Sequence, residues 1–218
     1  MDYVSSRPEF HELHTMLTVF LGTGIRVGEL TGLTWDDVDF AKNVIHVNKT
    51  LNYKETLYAK CTFYITFPKS NASIRDIPML DEVRTTLTEM YRRRDDFNGE
   101  YQVRIDGFTN FVFRDLDGNV YSNHRVNYML RKATNGYNRE EQDRAVAENR
   151  QAHLLPSITC HHLRSTFCST LLSHDIPIKT VQILMGHVNP STTLSAYAFT
   201  TDEKNKEALY TLNGKLHL

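Results

Sequence analysis

The sequence is poor in cysteine and in long apolar runs, and each shortage argues against a class of protein. Its three cysteines, Cys61, Cys160 and Cys168, form no spaced disulfide framework, and an odd, small number suits a reducing compartment. No apolar run approaches the roughly 20 residues that a membrane-spanning helix requires. Met1 is followed by Asp2, without the basic and apolar regions of a signal peptide. We therefore expect a cytoplasmic protein with no membrane partner.

An excess of basic charge is also missing. The chain of 218 residues has a formal net charge of −1 and a pI of about 6.8. This argues against nucleic-acid binding by bulk electrostatic attraction, and it leaves open a local basic cleft or DNA-binding parts outside this chain. Hydrophobic residues make up 40% and charged residues 23%, which is typical of a globular protein that buries a sizeable core in one large or two small domains.

The spacing of apolar residues predicts a mostly helical protein with one small antiparallel sheet. Apolar side chains recur at helical intervals over residues 10–20 before a Gly-Thr-Gly stop, and a short helix follows over about 25–32. Three segments within 44–78 alternate as strands do, with a hairpin turn at 67–73 before the last of them. We therefore expect an α+β fold with a three-stranded antiparallel sheet.

The rest of the chain is expected to be helical. A helix is predicted over 80–94, and a longer helical segment over 122–150 contains a break near Asn135–Gly136. Residues 111–113 fit either a short strand or an extended core segment. The C-terminal part predicts helices at about 161–173, 177–186, 191–198 and 202–212.

The segment "CHHLRSTF" combines two histidines and an arginine in a region with few other charges. His161 and Arg164 are three residues apart and so share one helix face. Leu163 and Phe167 belong to the opposite face, which should meet the core. His162 points away from Arg164 and is expected to be structural or exposed. Because such spacing is common by chance, this segment alone is a weak indication of a site.

Two basic residues elsewhere have both an ordinary and a functional interpretation. Arg26 follows two glycines at a helix start, where free backbone N–H groups and the helix dipole favour an anion. Its ordinary role would be to pair with Glu29, one turn away. Lys69 lies at the tip of the expected hairpin, where a lysine is usually a solvated residue that protects the sheet edge.

A histidine and a tyrosine near the C-terminus complete the set of candidates. His187 follows the helix-ending Gly186, and Tyr197 lies ten residues later. A tyrosine among small and apolar residues is usually half-buried, with its hydroxyl hydrogen-bonded. Tyr121 and Tyr210 are alternative nucleophiles, although the neighbours of Tyr210 favour a packing role.

Taken together, these residues suit transesterification at a phosphodiester without a metal. Attack by a tyrosine oxygen creates a five-coordinate phosphorus with extra negative charge, which paired arginines can neutralise. A phenol with a pKa of about 10 needs a nearby base or a strongly positive site to react at neutral pH. The departing 5′ oxygen needs a proton, which a lysine can supply.

The sequence resembles the tyrosine recombinases, or phage integrases, and most closely those of Gram-positive conjugative transposons. "LGTGIRVGELTGLTWDDVDF" is similar to the first arginine motif of the family, and "PKSNASIRDIPM" to its lysine-bearing strand pair. "CHHLRSTF" resembles the His-x-x-Arg box, and "LMGHVNPSTTLSAYA" the Gly-His…Tyr box. Ser165 stands where the family often has histidine. The order and spacing of the boxes cover nearly the whole chain.

The resemblance implies a role for each candidate. Arg26 and Arg164 would bind the scissile phosphate, with His187 donating a hydrogen bond to a non-bridging oxygen. His161 would assist by proton transfer or hydrogen bonding. Lys69 would be the general acid for the leaving 5′ hydroxyl. Tyr197 would be the nucleophile that carries a covalent 3′-phosphotyrosyl intermediate.

The resemblance also implies an organisation and a set of partners. Residues 1–218 would form the C-terminal catalytic domain of a larger bacterial integrase, whose core-binding and arm-binding domains are absent from this chain. Double-stranded DNA at element ends and target sites would be the substrate, bound by a tetramer with an accessory excision factor as a further partner. No cofactor and no metal are expected. The tail at 199–218 would pack either on its own domain or on a neighbouring protomer.

Three other functions remain open at this stage. A DNA-binding module of the same fold that has lost catalysis should lack a catalytic residue, and none is missing. A type IB topoisomerase would share the chemistry but relax supercoiled DNA without a paired site. A metal site would need Cys160, His161, His162 and His187, although adjacent ligands on one helix face in different directions.

Overall fold

The computed structural model describes residues 1–55, 61–68, 73–94, 103–187, 189 and 191. The α-helices are Asp2–Ser5 (α1), His11–Thr23 (α2), Val27–Thr31 (α3), Asp81–Arg93 (α4), Asn123–Ala147 (α5), Cys160–Ser173 (α6) and Ile178–Met185 (α7). The strands are Val38–Asp39 (β1), Val44–Val47 (β2), Thr50–Glu55 (β3), Cys61–Thr66 (β4) and Arg75–Pro78 (β5). Two short 3-10 helices, Pro8–Phe10 and Trp35–Asp37, complete the pattern. In these ranges no helix is both long and apolar enough to cross a membrane.

The expected fold class is confirmed, since the chain is mostly helical with small antiparallel sheets, but the strands are grouped differently. They form a three-stranded sheet in the order β1-β2-β5 and a separate two-stranded sheet of β3 and β4. The alternating segment 43–53, the first of the three expected strands, is interrupted after Val47. Lys49 turns inward there, 4% exposed, and its ammonium pairs with the buried carboxylate of Asp37. This buried ion pair separates β2 from β3.

The hairpin expected between β4 and β5 is wrong for the described residues. β4 pairs with β3, from Thr50 opposite Thr66 to Glu55 opposite Cys61. β5 pairs instead with β2, so that Ile45 lies opposite Ile77 and both side chains are buried. The β3–β4 ribbon is therefore inserted between two strands that are neighbours in the first sheet.

Most helix predictions are confirmed, and the predicted break near Asn135–Gly136 is wrong. α5 continues through that point because Gly136 meets another helix, and a Cβ there would lie 2.4 Å from the hydroxyl of Tyr3. The polar C-terminal end of α5 is held to the residues that follow it, because Arg150 binds the buried Glu141 with nitrogen–oxygen distances of 2.5 and 3.1 Å. The helices expected at 191–198 and 202–212 lie outside the described residues, apart from Ser191.

Residues 111–113 prove to be an extended core segment and not a strand. Their side chains are at most 5% exposed. Only single bridges form around them, Thr34 with Phe111 and Arg114 with Val120. The segment packs between the helices and the β3–β4 ribbon, because Phe111 belongs to a small apolar cluster with Leu51 and Ile65.

The core is built around α2, which packs against α4, α5 and α6. Val19 and Phe20 of α2 are fully buried in the main apolar cluster, which Leu163 of α6 also joins. The C-terminal half of α6 and α7 share a smaller cluster of their own. The C-terminal end of α2, the start of α3 and the end of α7 therefore meet beside α6, where the candidate side chains lie.

A glycine at the end of α2 is required by both backbone and packing. Gly24 has φ = 60°, and a Cβ there would lie 2.3 Å from the ring of Phe167. Gly24→Ala should lower the free energy of unfolding by about 2–4 kcal/mol, because strain in the backbone adds to overpacking. Urea denaturation measures this difference.

Gly107→Ala is the matched control, since Gly107 also has a positive φ of 88° but has no atom within 4 Å of the added carbon. It should cost about 1 kcal/mol through the backbone alone. Equal losses in the two variants would contradict the close contact between Gly24 and Phe167.

Candidate active site

The structure brings Arg26, His161, Arg164 and His187 to one place. Arg26 lies at the N-cap of α3, His161 and Arg164 lie in the first turns of α6, and His187 follows α7. Burial and the guanidiniums of Arg164, Arg26 and Arg75 lower the pKa of the His187 imidazole, and His161 is near enough to act on it as well. The His-x-x-Arg pattern and the first arginine motif therefore meet in space, as predicted. Lys69, Tyr197 and the tail at 199–218 lie outside the described residues.

Arg26 combines the two roles considered for it. Its backbone N–H donates to Oε2 of Glu29 (2.9 Å) and its guanidinium to Oε1 (2.8 Å), so the expected pairing is present. A second guanidinium nitrogen donates to the carbonyl of Gly186 at 3.1 Å. The side chain is still 41% exposed. Glu29 and Gly186 therefore fix the guanidinium while one edge of it faces solvent and can meet an anion.

Arg164 is buried and is held by backbone carbonyls. It is 6% exposed, it donates to the carbonyl of Gly24 at 2.6 Å, and it donates to the carbonyl of Met185. Burial, followed by the positive charge of Arg26, lowers the pKa of its guanidinium to about 9, which leaves it protonated at neutral pH. A buried cation bound mainly to neutral carbonyls favours a nearby anion strongly.

Glu29 and Arg75 form a buried ion pair at the base of the site. Arg75 donates to Oε1 of Glu29 at 3.2 Å and to Oε2 at 2.8 Å, and the two residues are 6% and 5% exposed. Burial alone would raise the pKa of Glu29, but the hydrogen bonds and charges of Arg75 and Arg26 outweigh it and hold that pKa below the ordinary value. The carboxylate is therefore ionised.

Arg75 is the site residue that the sequence analysis missed. Its position in β5 gave a usable indication, because Arg75 and Ile77 alternate with exposed residues and so face inward together. An arginine on the buried face of a strand needs a carboxylate or carbonyl partner, and Glu29 meets that need.

The C-terminal end of α7 binds all three arginines through successive backbone carbonyls. The oxygen of Leu184 accepts from Arg75 (2.7 Å), that of Met185 from Arg164, and that of Gly186 from Arg26 (3.1 Å). The last carbonyls of a helix lack partners within the helix and carry the negative end of its dipole. Gly186 ends the helix in the left-handed conformation, with φ = 59°.

His187 follows this turn with its backbone fixed on both sides. Its N–H donates to the carbonyl of Gln182 at 3.1 Å, and the side-chain amide of Gln182 donates to the carbonyl of His187 at 3.1 Å. Burial, then the charges of Arg164 and Arg26, lowers the pKa of its imidazole to about 4. The ring is therefore neutral near pH 7 and keeps one N–H as a donor.

The two adjacent histidines separate as expected. His162 accepts a hydrogen bond from the N–H of Thr159 at its Nδ1 (3.1 Å) and so caps α6. His161 is exposed at the site. Cys160 is buried. Within the described ranges, which include His187, no group of three or more histidine, cysteine, aspartate or glutamate side chains could hold a metal ion.

Tyr121, one alternative nucleophile, is placed away from the arginines. Its hydroxyl donates to Oε2 of Glu12, near the opposite end of α2 from Gly24. The residue is 1% exposed, and burial together with Glu12 raises the pKa of its phenol. This environment opposes the phenolate that a nucleophile needs. The other alternative, Tyr210, lies outside the described residues.

The charges of the site are suited to a phosphate. Within the part of the chain that the structure describes, the guanidiniums of Arg26, Arg75 and Arg164 lie around one carboxylate, that of Glu29. With His187 neutral, the cluster keeps an excess of positive charge and several N–H donors. Fixed donors of this kind can bind the oxygens of a phosphodiester and stabilise the additional charge of a five-coordinate phosphorus.

Solved structures with this fold include integrases and recombinases. The Tn1549 transposon integrase (residues 82–397), solved in complex with circular intermediate DNA, is 29% identical and superposes with a TM-score of 0.81, covering 97% of this chain and 63% of that one. The XerA recombinase shares the fold with a TM-score of 0.65 at 19% identity, and the likeness covers 97% of this chain and 61% of that one.

Curated relatives agree with the structural likeness. The transposase from transposon Tn916 of Enterococcus faecalis is 28% identical over 197 residues, covering 90% of this chain and 44% of that protein. A XerC-like tyrosine recombinase of Caldanaerobacter subterraneus is 29% identical over 209 residues, covering 93% of this chain and 49% of that protein. The chain thus spans about half or less of the length of these relatives.

The chain belongs to the phage integrase family, whose profile matches residues 1–204. The relatives also confirm the expected resemblance to integrases of Gram-positive conjugative transposons.

Removing the charge of Glu29 should disrupt the base of the site. Glu29→Gln should lower the free energy of unfolding at pH 7 by about 3–5 kcal/mol, because it leaves Arg75 buried without a carboxylate. The lowered pKa of Glu29 places this contribution above the pH at which a carboxyl in the unfolded chain ionises. The difference between wild type and variant should therefore shrink as the pH falls. Urea denaturation at several pH values measures it.

Glu89→Gln is the control, since Glu89 is an exposed residue of α4. It should change the free energy of unfolding by no more than about 0.5 kcal/mol. A loss in Glu29→Gln as small as that of the control would show that the buried pair does not stabilise the fold.

His187 should remain neutral well below pH 6. Burial and the neighbouring arginines place the pKa of its imidazole at about 4, so the ring signal should shift only as the pH approaches that value. NMR titration of the ring carbon-bound protons, assigned with a His187→Gln variant, measures the midpoint. A midpoint near the ordinary 6.5 would contradict this environment.

Proposed function

We propose that the chain is the catalytic domain of a site-specific DNA integrase. The enzyme would excise and insert a mobile element by cleaving and rejoining DNA through a covalent 3′-phosphotyrosyl intermediate. The observation that carries this proposal is the convergence of Arg26 and Arg164 on the end of α7, next to His187. Such a cluster binds the phosphodiester that the reaction attacks, and its residues match the boxes of the phage integrase family.

In this proposal the phosphate is held by the two arginines of unequal exposure. The half-exposed guanidinium of Arg26 contacts one non-bridging oxygen. The buried guanidinium of Arg164 contacts the phosphate from the side of the protein interior. Neutral His187 donates a further hydrogen bond to a non-bridging oxygen. These donors are already fixed by Glu29 and by carbonyls, so little reorganisation accompanies the build-up of charge.

The chemistry would then proceed by in-line displacement. The Tyr197 oxygen attacks the scissile phosphorus, and the bond from phosphorus to the 5′ oxygen breaks. The phenolic proton is lost with the help of His161, and Lys69 gives a proton to the departing 5′ oxygen, which leaves as a hydroxyl. The 3′-phosphotyrosyl linkage that results keeps a phosphodiester bond, so a 5′ hydroxyl of the partner strand can reverse the step.

The partners follow from the same proposal. Complexes of the Tn1549 integrase with circular intermediate DNA and with transposon right end DNA support duplex DNA at element ends as the substrate. We infer that the acting form is a tetramer in the bacterial cytoplasm, assisted by an excision factor. Core-binding and arm-binding domains would precede residues 1–218 in the whole protein, and the tail at 199–218 would dock within or between protomers.

A nicked DNA substrate tests the proposal, because loss of the fragment downstream of the nick traps the covalent intermediate. The protein should form a denaturation-resistant adduct with DNA carrying the element end, in the presence of EDTA. Tyr197→Phe should abolish the adduct while changing the dissociation constant for DNA by less than about threefold, since only the nucleophilic oxygen is removed. Gel analysis of the labelled DNA measures both.

Tyr210→Phe is the matched control and should form the adduct at the rate of the wild type. An adduct that survives in Tyr197→Phe would contradict the nucleophile. DNA binding without any adduct in the wild type would indicate a module without catalysis. Relaxation of supercoiled plasmid without a paired site would favour a topoisomerase.

A further inference from the structure

Arg75 has a set of contacts that the proposed chemistry does not use. Its Nε donates to the carbonyl of Leu184 at 2.7 Å, and its two terminal nitrogens donate to the two oxygens of Glu29. One of these nitrogens also lies 3.3 Å from the carbonyl of Ser73. All three guanidinium nitrogens are thus engaged within the protein, and the side chain is only 2% exposed.

These contacts link two supports on which the phosphate-binding arginines depend. The first support is Glu29 of α3, which fixes the backbone and guanidinium of Arg26. The second is the C-terminal turn of α7, whose carbonyls at Met185 and Gly186 receive Arg164 and Arg26. Arg75 is bonded to both supports at once, through Glu29 and through the carbonyl that precedes Met185.

The fit between Arg75 and the α7 turn is also close. A Cβ added to Gly186 would lie 3.0 Å from a terminal nitrogen of Arg75 and 3.2 Å from its Cδ and Cζ. The guanidinium therefore lies directly against the backbone of the residue whose carbonyl holds Arg26. A shift of Arg75 would move the turn, and a shift of the turn would move both phosphate-binding arginines.

We propose that Arg75 is a positioning residue for strand cleavage, which sets the separation between the phosphate-binding guanidiniums by tying Glu29 to the end of α7. It touches neither the DNA nor the reacting atoms. This inference rests on the proposed function of the site. Because a misplacement of about 1 Å can slow a reaction by about 100-fold, loss of Arg75 should affect the bound complex more than its formation.

The experiment compares Arg75→Gln and Arg75→Lys with the wild type on the nicked substrate. Under single-turnover conditions with saturating protein, Arg75→Gln should cleave about 10- to 100-fold more slowly, and its dissociation constant for DNA should change by less than about threefold. Arg75→Lys keeps the charge but cannot form the planar fork to Glu29 together with the bond to Leu184. Its cleavage rate should lie between the other two.

Arg84→Gln is the matched control, since Arg84 is exposed on α4 and makes one side-chain hydrogen bond, of 3.2 Å to Asn43. It should cleave at the wild-type rate. Thermal unfolding identifies a variant that is unfolded at the assay temperature, and Arg75→Lys then decides the question if Arg75→Gln does not fold.

Two outcomes would overturn the inference. One is cleavage by a folded Arg75 variant within about twofold of the wild type at saturation. The other is a loss that disappears at saturation, which would place Arg75 in DNA binding. A wild type that forms no adduct would refute the proposed function itself and is recognised without any variant.

Discussion

The site depends on the ionised carboxylate of Glu29, which lies buried between two arginines. Arg75 reaches it from the sheet and Arg26 from the start of its own helix. A buried carboxylate without these partners would be strongly disfavoured, and so would a buried Arg75 without the carboxylate. The ion pair between Glu29 and Arg75 therefore favours one packing arrangement of β5 against α3. Arg26 takes its place from that arrangement, which is why its guanidinium can be half-exposed and still fixed.

The C-terminal end of α7 complements Glu29, because its backbone carbonyls bring negative partial charge to the arginines without a carboxylate side chain. Carbonyls at Leu184, Met185 and Gly186 bind three guanidiniums that would otherwise repel one another. Carbonyl partners hold a cation in place without neutralising it, whereas carboxylates would compete with a phosphate. Among the described residues that hold the arginines, Glu29 alone carries a formal negative charge, so the site keeps an excess of positive charge.

Structural features that depend on the spacing of residues within one segment could be predicted from the sequence. The helical face shared by His161 and Arg164 and the glycine stop before Arg26 are of this kind, and the structure bears them out. Contacts between distant segments were not predictable in the same way. Arg75 meets Glu29 only because β5 pairs with β2, across an inserted ribbon. Likewise Gly136 was interpreted as a helix break, because its actual reason, the approach of Tyr3, lies far away in the chain.

The site also lies across the boundary between two apolar clusters. The first turns of α6, with Leu163, belong to the main core, whereas its second half shares a small cluster with α7, to which Phe167 and Met185 belong. Hydrogen bonds from Arg75, Arg164 and Arg26 join α7 to the sheet and to α3 in addition to this apolar contact with α6. Detaching α7 would expose Val181 and Met185, which are 0% and 1% exposed, and would leave the buried Arg75 and Arg164 without these carbonyl partners. The corner that carries His187 should therefore stay closed while the arginines keep these partners, because opening it would expose apolar surface and break several charged hydrogen bonds together.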